Sequence, residues 1–503
     1  MANNNLRKMK SSKSIILCAT GLTLLFSSCK KEEWLNPQPT TLITDVTAFS
    51  TPDRILNQVN GLYSSMKATS YLGSWYTIIS DVRTGEFHCS NMNAATGSTM
   101  YSMLAQTTTN DVNDIWVATY AAINKINVFL DNMDNGGDAV LDATVANNYR
   151  AEAKLIRGMT YYYLLQFYAR PYWDANGSKP GLPLRLTGNT GPGNYDLARS
   201  TVAETYKQVL EDLDFAEQNL PSNYSSSFLN TVRAHKNTAI ALKTRVYLSM
   251  RDYAKVITEA NKLVPTSAPF TASTGVANKL EANFADIFKS PYTSNESIFS
   301  MPFTNNDAPG SALSRYYLPG TGDGGTATSN GAGEYSLNSV EGIYSSALWA
   351  ASDDRKSLTK VGTKTGKAWL TKFNQASPYI DYVPVIRYSE VLLNLSEALA
   401  RSSNTVDSRS LALFNAVYGR SNQGNSLASS SFANVTAYLN RIVEERRIEF
   451  VGEGIRNGDL MRLGLTIPAK SQQSIAAVPS DDPAYILPIP SNELILNNLM
   501  ENN

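Results

Sequence analysis

Two stretches of the chain combine aromatic rings with polar side chains, and together these two kinds of group bind sugars. Aromatic faces pack on the C–H faces of a sugar ring, while amide, carboxylate and guanidinium groups hydrogen bond with its hydroxyl groups. The first stretch offers Tyr71, Trp75, Tyr76, Asp81, Arg83 and Asn93, and the second offers Tyr316, Tyr317 and Tyr335. These nine positions therefore offer both kinds of group that a sugar ligand would contact.

One turn within the first stretch narrows this prediction. Gly73 and Ser74 suit a turn that would expose the ring after them. Trp75 or its neighbour Tyr76 is therefore the predicted stacking residue. The alternative is that these aromatic rings belong to the core, because aromatic side chains of globular proteins are highly buried on average.

Residues suited to catalysis or metal binding are scarce. The two histidines, His88 and His235, are far apart, and there is neither a His-Glu-x-x-His motif nor a cysteine cluster. These features favour neither a metal site nor a Ser-His-Asp triad. The glycine-rich run 320–325 lacks the Gly-Lys-Ser/Thr that grips phosphates. A glycosidase needs two carboxylates across a cleft, and the sequence singles out no pair among 44 acidic residues. We therefore expect no enzymatic activity, no cofactor and no metal.

Charged residues crowd two helical stretches. Glu390, Asn394, Glu397 and Arg401 share one helical face, and Glu445, Arg446, Glu449 and Arg456 lie close together in another stretch. Spacings of three and four residues predict ion pairs on or between helices rather than catalysis.

The first 28 residues have the layout of a secretion signal. Four basic residues precede the apolar run 14–26, which is shorter than the roughly 20 residues needed to span a membrane. Phe26-Ser27-Ser28-Cys29 resembles a lipobox, with Phe26 where Leu is usual. The sequence thus predicts a signal peptide at 1–28, a diacylglycerol on Cys29 and an extended tether at 29–47. The alternative is ordinary cleavage next to an incidental Cys29.

Charge and cysteine content constrain the mature chain. Removal of residues 1–28 takes away four basic residues and leaves 40 basic against 44 acidic residues, a net charge of −4. This balance disfavours a nucleic-acid partner, which would require a basic patch.

Cys18 leaves with the signal and Cys29 carries the lipid, so only Cys89 remains, and no intramolecular disulfide is possible. Cys89 is expected to be a buried, inert thiol.

Hydrophobic residues recur at helical spacing along most of the chain. The periodicity predicts helices at 114–133, 147–168, 236–249, 253–264 and 435–451. It predicts two more with visible end signals. One is capped by Ser200 or Thr201 and ended by Pro221, and the other, at 385–401, is opened by Pro384. Paired helices of this kind favour an all-α, tetratricopeptide-like repeat scaffold. Long irregular insertions at 188–194 and about 305–344 interrupt it, and loops of that length are usually functional.

Six segments, in order along the chain, resemble motifs of the SusD/RagB family. They are the helix with Trp116, Tyr120, Ile123 and Asn127; the helix Ala151-Glu152-Ala153-Lys154-Leu155-Ile156-Arg157; Arg199-Ser200-Thr201-Val202 with Asp212-Leu213; Pro384-Val385-Ile386-Arg387-Tyr388-Ser389-Glu390; Glu444-Glu445-Arg446-Arg447-Ile448-Glu449 through Arg456 to Arg462; and Leu487-Pro488-Ile489-Pro490 with Glu493. The resemblance covers nearly the whole mature chain and thins out at 265–345. It divides the mature domain into 48–265, a variable insertion at 266–345, and 346–503.

The resemblance implies a tetratricopeptide-like protein that binds oligosaccharides and delivers them to a TonB-dependent transporter of the SusC/RagA type. Its N-terminal loops and mid-chain insertion would jointly form the binding face. The resemblance also implies a lipid-anchored protein of the outer membrane, and Lys30-Lys31-Glu32-Glu33 resembles the surface-export signal of Bacteroidetes lipoproteins. The alternatives are a peptide-binding member of the family, a surface-attached glycoside hydrolase and a purely structural surface protein.

Overall fold

The computed structural model describes residues 45–310 and 312–503. The predicted signal peptide, Cys29 and nearly all of the predicted tether lie outside the described residues. The chain falls into two units, divided between Ser50 and Thr51. In the first unit, residues 45–50 include one short helix, α1 (Asp45–Ala48), after which the Ser50 hydroxyl donates a hydrogen bond to the carbonyl of Thr47. All features below belong to the second unit.

Helices dominate the second unit. Its N-terminal half has α2 (Pro52–Met66), α3 (Trp75–Val82), α4 (Ser98–Tyr101), α5 (Asn110–Asn132), α6 (Ala143–Tyr168), α7 (Val202–Asn219), α8 (Ser227–Val232), α9 (Lys236–Met250) and α10 (Tyr253–Ala260). Its C-terminal half has α11 (Leu313–Tyr317), α12 (Tyr388–Ser403), α13 (Ser408–Ser421), α14 (Val435–Glu449), α15 (Ile455–Leu463) and α16 (Ser491–Leu496). The mainly α fold class is confirmed.

Side-chain caps fix several helix boundaries. The Thr51 hydroxyl accepts a hydrogen bond from the Arg54 amide at 3.3 Å just before α2. At α7, the Thr201 hydroxyl accepts from the Glu204 amide, and the Glu204 carboxylate accepts from the Thr201 amide. This reciprocal capping box satisfies two backbone donors that the helix itself leaves unpaired. The predicted cap at Thr201 is confirmed, and α7 ends just before Pro221.

Successive helices pack side by side along the chain. Helix α5 packs on α6, α6 on α7, α7 on α9, α9 on α10, α10 on α12, and α12 on α13. The apolar stripes predicted from the spacing lie in these contacts; Trp116, Ile123 and Ile126 of α5, for example, are buried. Each helix pair covers the apolar face of the next, as in tetratricopeptide-like repeats.

Short strands connect distant parts of the chain. They are β1 (Phe87–Cys89), β2 (Ser297–Met301), β3 (Tyr335–Leu337), β4 (Thr359–Val361), β5 (Ala368–Leu370) and β6 (Val383–Arg387). Four of them form an antiparallel sheet in the order β1-β3-β5-β4, and β2 pairs antiparallel with β6. The pairing of Cys89 with Tyr335 joins the mid-chain insertion, predicted to be irregular, to the N-terminal stretch.

One predicted helix start is wrong. Pro384 was expected to open a helix at Val385, whereas both residues lie in β6 and α12 begins at Tyr388. Val385 and Ile386 are buried β-branched residues, which suit a strand. Pro384 lies near the start of this short strand of a two-stranded sheet, where a missing N–H donor is tolerated.

The charged side chains of α12 form buried ion pairs. Arg245 of α9 donates two hydrogen bonds to the Glu390 carboxylate, at 2.7 and 2.6 Å. Arg462 of α15 binds the Glu397 carboxylate in the same bidentate way, at 2.7 Å for both contacts. These pairs confirm the predicted ion pairing between helices.

Glu449 of α14 is surrounded by three guanidinium groups. Its carboxylate lies 2.6 Å from Arg420 and 3.0 Å from both Arg387 and Arg355. Burial would raise the pKa of Glu449, but the guanidinium groups of Arg420, Arg387 and Arg355 hold it well below its usual value. Glu449 is therefore a charged structural residue that ties α14 to the neighbouring segments.

Candidate functional site

The structure brings the two predicted stretches together in an aromatic cluster of Trp75, Tyr316 and Tyr335, whereas Tyr71 and Tyr76 pack on Tyr163 of α6. The ring centroid of Trp75 in α3 lies 5.1 Å from that of Tyr316 in α11. Tyr316 in turn stacks near Tyr335 of β3, with 6.3 Å between centroids. Tyr71 and Tyr76 meet edge to face at 6.5 Å. Such offset and edge-on ring pairs stabilise packing beyond the area that they bury.

These rings are core residues rather than an exposed platform. Relative exposures are 5% for Trp75 and Tyr76, 4% for Tyr316, and 0% for Tyr71, Tyr317 and Tyr335. The expectation that a turn at Gly73 and Ser74 exposes the next ring is wrong. Ser74 does adopt a left-handed conformation with φ of 92°, but Trp75 is buried behind it. The indole Nε1 of Trp75 donates a hydrogen bond to Asp111 at 2.8 Å.

The hydroxyl groups of Tyr71, Tyr76 and Tyr335 form hydrogen bonds inside the protein. Tyr71 shares a hydrogen bond of 3.0 Å with Thr160, Tyr76 donates to the carbonyl of Tyr163 at 3.0 Å, and Tyr335 donates to the carbonyl of Thr96 at 2.6 Å. A buried hydroxyl that is already paired is not available to hydrogen bond with a ligand. Ligand contact at these tyrosines stays a prediction, and their burial argues against it.

Asp81 and Arg83 lie beneath the surface and not on it. The Asp81 carboxylate accepts hydrogen bonds from the Tyr317 hydroxyl at 2.8 Å and the Gly454 amide at 3.1 Å. Burial raises the pKa of Asp81 to about 8. Arg83 donates to the carbonyl of Tyr485 at 3.0 Å, and burial lowers its pKa to about 10. Both side chains connect α3 to distant segments. Ligand contact at Asp81 and Arg83 stays a prediction, and their burial argues against it.

Asn93 is the exception among the nine positions, because its side chain is exposed. It belongs to residues 90–97, which we call the asparagine loop. The Asn93 Oδ1 accepts a hydrogen bond from the Ala95 amide at 2.9 Å and starts a 3-10 turn, Ala94–Thr96. Asn91 and Met92 beside it are also exposed. The loop thus presents amide groups and a thioether to solvent, and amides can both donate to and accept from ligand hydroxyls.

The aromatic cluster and its sheet support the asparagine loop from below. The Tyr335 hydroxyl binds the loop backbone at Thr96, and the Ser90 amide donates to the carbonyl of Glu334 at 2.7 Å. Lys367 next to β5 reaches the Ser90 hydroxyl at 3.1 Å. These bonds tie the loop backbone to the mid-chain insertion and to the residue before β5, and the Ala95 amide holds the Asn93 Oδ1. The exposed Asn93 amide group is therefore held in place.

Asp323 binds the mid-chain insertion to residues 364–369, which include the start of β5. This role was not predicted from the sequence. Its carboxylate accepts hydrogen bonds from the Lys364 and Thr365 amides, both at 2.8 Å, from the Thr365 hydroxyl at 2.5 Å and from the Trp369 indole at 2.9 Å. Burial would raise the pKa of Asp323, but these hydrogen bonds lower it to about 2. An aspartate inside a glycine-rich run is a typical turn signal, and this was the only sequence feature that could have indicated it.

Metal-binding and membrane-spanning features were sought in the described residues. In residues 45–310 and 312–503, no three or more His, Cys, Asp or Glu side chains are grouped so that they could hold a metal ion. No helix of this part of the chain is both long and apolar enough to cross a membrane.

Comparison with known proteins places this fold among relatives. A SusD-like family model described as "starch-binding associating with outer membrane" matches residues 33–248. SusD-like protein P2 of Formosa agariphila is 26% identical over 512 residues, which cover 93% of this chain and 95% of that protein. The crystal structure of a SusD superfamily protein from Bacteroides fragilis is 30% identical, with a TM-score of 0.79 over 90% of this chain and 99% of that one.

A more distant solved structure shares the fold. The surface glycan-binding protein A from Bacteroides thetaiotaomicron, determined in complex with laminarihexaose, is 19% identical with a TM-score of 0.69. The alignment covers 90% of this chain and 100% of that protein. Taken with the near-complete coverage of the 30% identical relative, these matches show that this chain belongs to the SusD superfamily.

Proposed function

We propose that this chain is a lipid-anchored outer-membrane protein that captures oligosaccharides at the cell surface and delivers them to a TonB-dependent transporter of the SusC/RagA type. The observation that carries the proposal is the asparagine loop, whose exposed amides are fixed on a buried aromatic base in a chain of the SusD superfamily. Pre-positioned amides of this kind hydrogen bond with the hydroxyl rim of a sugar at little cost in side-chain entropy.

Two relatives of the same fold support a glucan as the ligand class. One was determined with laminarihexaose, and another is described as a laminarin-binding SusD-like protein. Both ligands are neutral glucans, and a neutral ligand suits a loop that presents amides rather than charged groups. Neutral hexasaccharides are therefore the first probes to use.

Binding without turnover fits the environment of three buried glutamates in α12 and α14. The pKa of Asp81 in α3 is raised instead, but its carboxyl group is only 1% exposed and is bound by Tyr317 and Gly454. Glu390, Glu397 and Glu449 are each bound by arginine guanidinium groups and buried. A glycosidase needs one carboxylic acid with a raised pKa and a second carboxylate facing it across a cleft. The pKa values of Glu397 and Glu449 are lowered, which is the opposite of what a general acid requires.

Affinity electrophoresis and product analysis test the proposal together. The full chain, purified in mild detergent, should be retarded in gels that contain laminarin or starch and should release no shorter sugars from either. Retardation by neither polysaccharide, with binding of peptides instead, would favour the peptide-binding alternative. Release of oligosaccharides by the purified chain would show a hydrolase.

The transporter partner is tested separately. Gentle solubilisation of membranes should copurify the chain with a TonB-dependent transporter. Recovery of the chain as a free monomer under conditions that preserve other membrane complexes would contradict delivery to such a partner.

A further inference from the structure

A cleft lies apart from the asparagine loop, with a volume of about 270 Å³. Helix α2, helix α8, the end of β2 and Asp307 of the mid-chain insertion form its walls. Its lining residues include Asn60, Tyr63, Ser64, Lys67, Phe228 and Asp307. The cleft shares no lining residue with the asparagine loop, so it is a separate candidate site.

Sequence spacing explains why one face of α2 lines the cleft. Asn60, Tyr63, Ser64 and Lys67 follow one another at intervals of three, one and three residues, which places them on one helical face. No apolar stripe occurs on this face, so the helical periodicity that predicts core residues did not mark it.

The floor of the cleft is rigid. Tyr63 packs edge-on against Phe299 of β2 with 6.2 Å between ring centroids, and its hydroxyl donates to Glu152 at 2.6 Å. The same hydroxyl accepts a hydrogen bond from the Ala234 amide at 3.0 Å. Arg233 completes the arrangement with two hydrogen bonds to Glu152, at 2.7 and 2.8 Å. These polar groups are satisfied by one another, so the floor would meet a ligand through ring and aliphatic surfaces.

The rim of the cleft differs from the floor in chemistry. Phe228 keeps 46% of its surface exposed, and Asn60 and Ser64 are exposed on the opposite helix. The Lys67 ammonium lies 4.8 Å from the centre of the Phe303 ring and forms an ion pair with Asp307. An exposed ring therefore faces a wall that offers an amide, a hydroxyl and a neutralised charge pair.

We propose that this cleft is a second carbohydrate-binding site, which takes one sugar ring of a neutral oligosaccharide, with Phe228 against its C–H face and Asn60 and Ser64 on its hydroxyls. The proposal rests on the glycan-binding function proposed above. The volume lies just below the roughly 300–1,000 Å³ of sites that enclose drug-sized ligands, so one ring fits and a whole hexasaccharide does not. The Lys67–Asp307 pair cancels its own charge, which disfavours anionic and cationic sugars.

Calorimetric titration of the full chain in mild detergent tests the site, with laminarihexaose and maltohexaose as the probes. The unmodified chain should titrate with two sites, and Phe228→Ala should weaken binding of the recognised hexasaccharide at one of them by about tenfold or more while the other is unchanged, because a stacking aromatic residue often dominates such a contact. Asn60→Ala should weaken it by a few-fold. Tyr195→Ala is the matched control, since Tyr195 is a 38% exposed aromatic residue outside the cleft. The Tyr195→Ala variant should bind the hexasaccharide with the affinity of the unmodified chain.

Melting curves of the same variants show whether each one is folded. If Phe228→Ala does not fold, Asn60→Ala still tests the site. If the unmodified chain binds a hexasaccharide and both cleft variants bind it equally well, the second site is overturned while the proposed function stands. If the unmodified chain binds neither hexasaccharide, both proposals fall. Phe228-dependent binding of hexaalanine without sugar binding would show a peptide site and would also overturn the proposal.

Discussion

The Tyr317 hydroxyl donates a hydrogen bond of 2.8 Å to the Asp81 carboxylate across 236 positions of the chain. It joins α3, which belongs to the predicted N-terminal binding stretch, to α11 of the mid-chain insertion. The carboxylate also accepts from the Gly454 amide just before α15. Three distant segments beneath the asparagine loop thus meet at one buried carboxyl group.

This buried carboxyl group should make stability depend on pH. The pKa of Asp81 is about 8 in the folded chain against an ordinary value of 3.8, so the folded state holds a proton that the unfolded state has released. The stabilisation that protonated Asp81 contributes is fully present below about pH 4 and is lost as pH rises towards about 8. The free energy of unfolding, measured with denaturant, should therefore fall between pH 5 and pH 9. In the Asp81→Asn variant this fall should be smaller by on the order of 2 kcal/mol. An equal pH dependence in both proteins would contradict the role of Asp81.

Truncation of the buried indole should damage the fold. Trp75→Ala removes a ring that packs on Tyr316 and donates to Asp111, and should cost about 3–5 kcal/mol of unfolding free energy. Thermal melting measures this loss. An unchanged melting temperature together with weakened sugar binding would restore the earlier prediction of an exposed platform.

Truncation of the exposed amide should affect binding more than folding. Asn93→Ala removes one exposed amide group of the asparagine loop together with the bond that its Oδ1 accepts from Ala95, and should weaken sugar binding by about fivefold, or ~1 kcal/mol. Asn434→Ala is a matched control, because Asn434 is also an exposed asparagine whose Oδ1 accepts a backbone hydrogen bond at 2.9 Å. The control should lower stability slightly and leave affinity unchanged. Equal affinities for the two variants would remove the loop from the binding site.

The lipid anchor predicted from the sequence can be tested directly. Cys29→Ala should abolish labelling with palmitate and release the protein from membranes, because the diacylglycerol supplies the buried hydrocarbon that holds it there. Cys89→Ala is the matched control, since Cys89 is buried and remote in sequence, and it should keep both labelling and membrane retention. Membrane retention of the Cys29 variant would mean that another feature anchors the chain.

Helix positions could be predicted from the sequence because their causes are local. The spacing of apolar residues in α5 and the capping box at Thr201 act over a few residues, and both are visible in the chain. The strands were not predicted, because each spans five residues or fewer and pairs with a partner far away. The strand that contains Pro384 was assigned to a helix for this reason, since nothing near it indicates its pairing with β2.

The convergence of the two aromatic stretches followed from the resemblance, but their burial could not be predicted from residue type. A tyrosine such as Tyr335 suits a core and a binding surface equally well, since its ring is apolar and its hydroxyl is polar. The deciding facts are the non-local contacts, such as its hydrogen bond to Thr96 across 239 positions. The cleft beside Phe228 escaped prediction because its walls come from three separate parts of the chain.

The hydrogen bond from Arg83 to the carbonyl of Tyr485 spans 402 positions, so the end of α3 is tied to the segment that precedes α16. Tyr485 is synthesised 402 residues after Arg83, and closing so long a loop is entropically costly until the intervening helices have folded. The bond that anchors Arg83 therefore forms late, after the intervening helices. A chain truncated before Tyr485 would keep the asparagine loop and its own contacts and still lack the bond that anchors the end of α3.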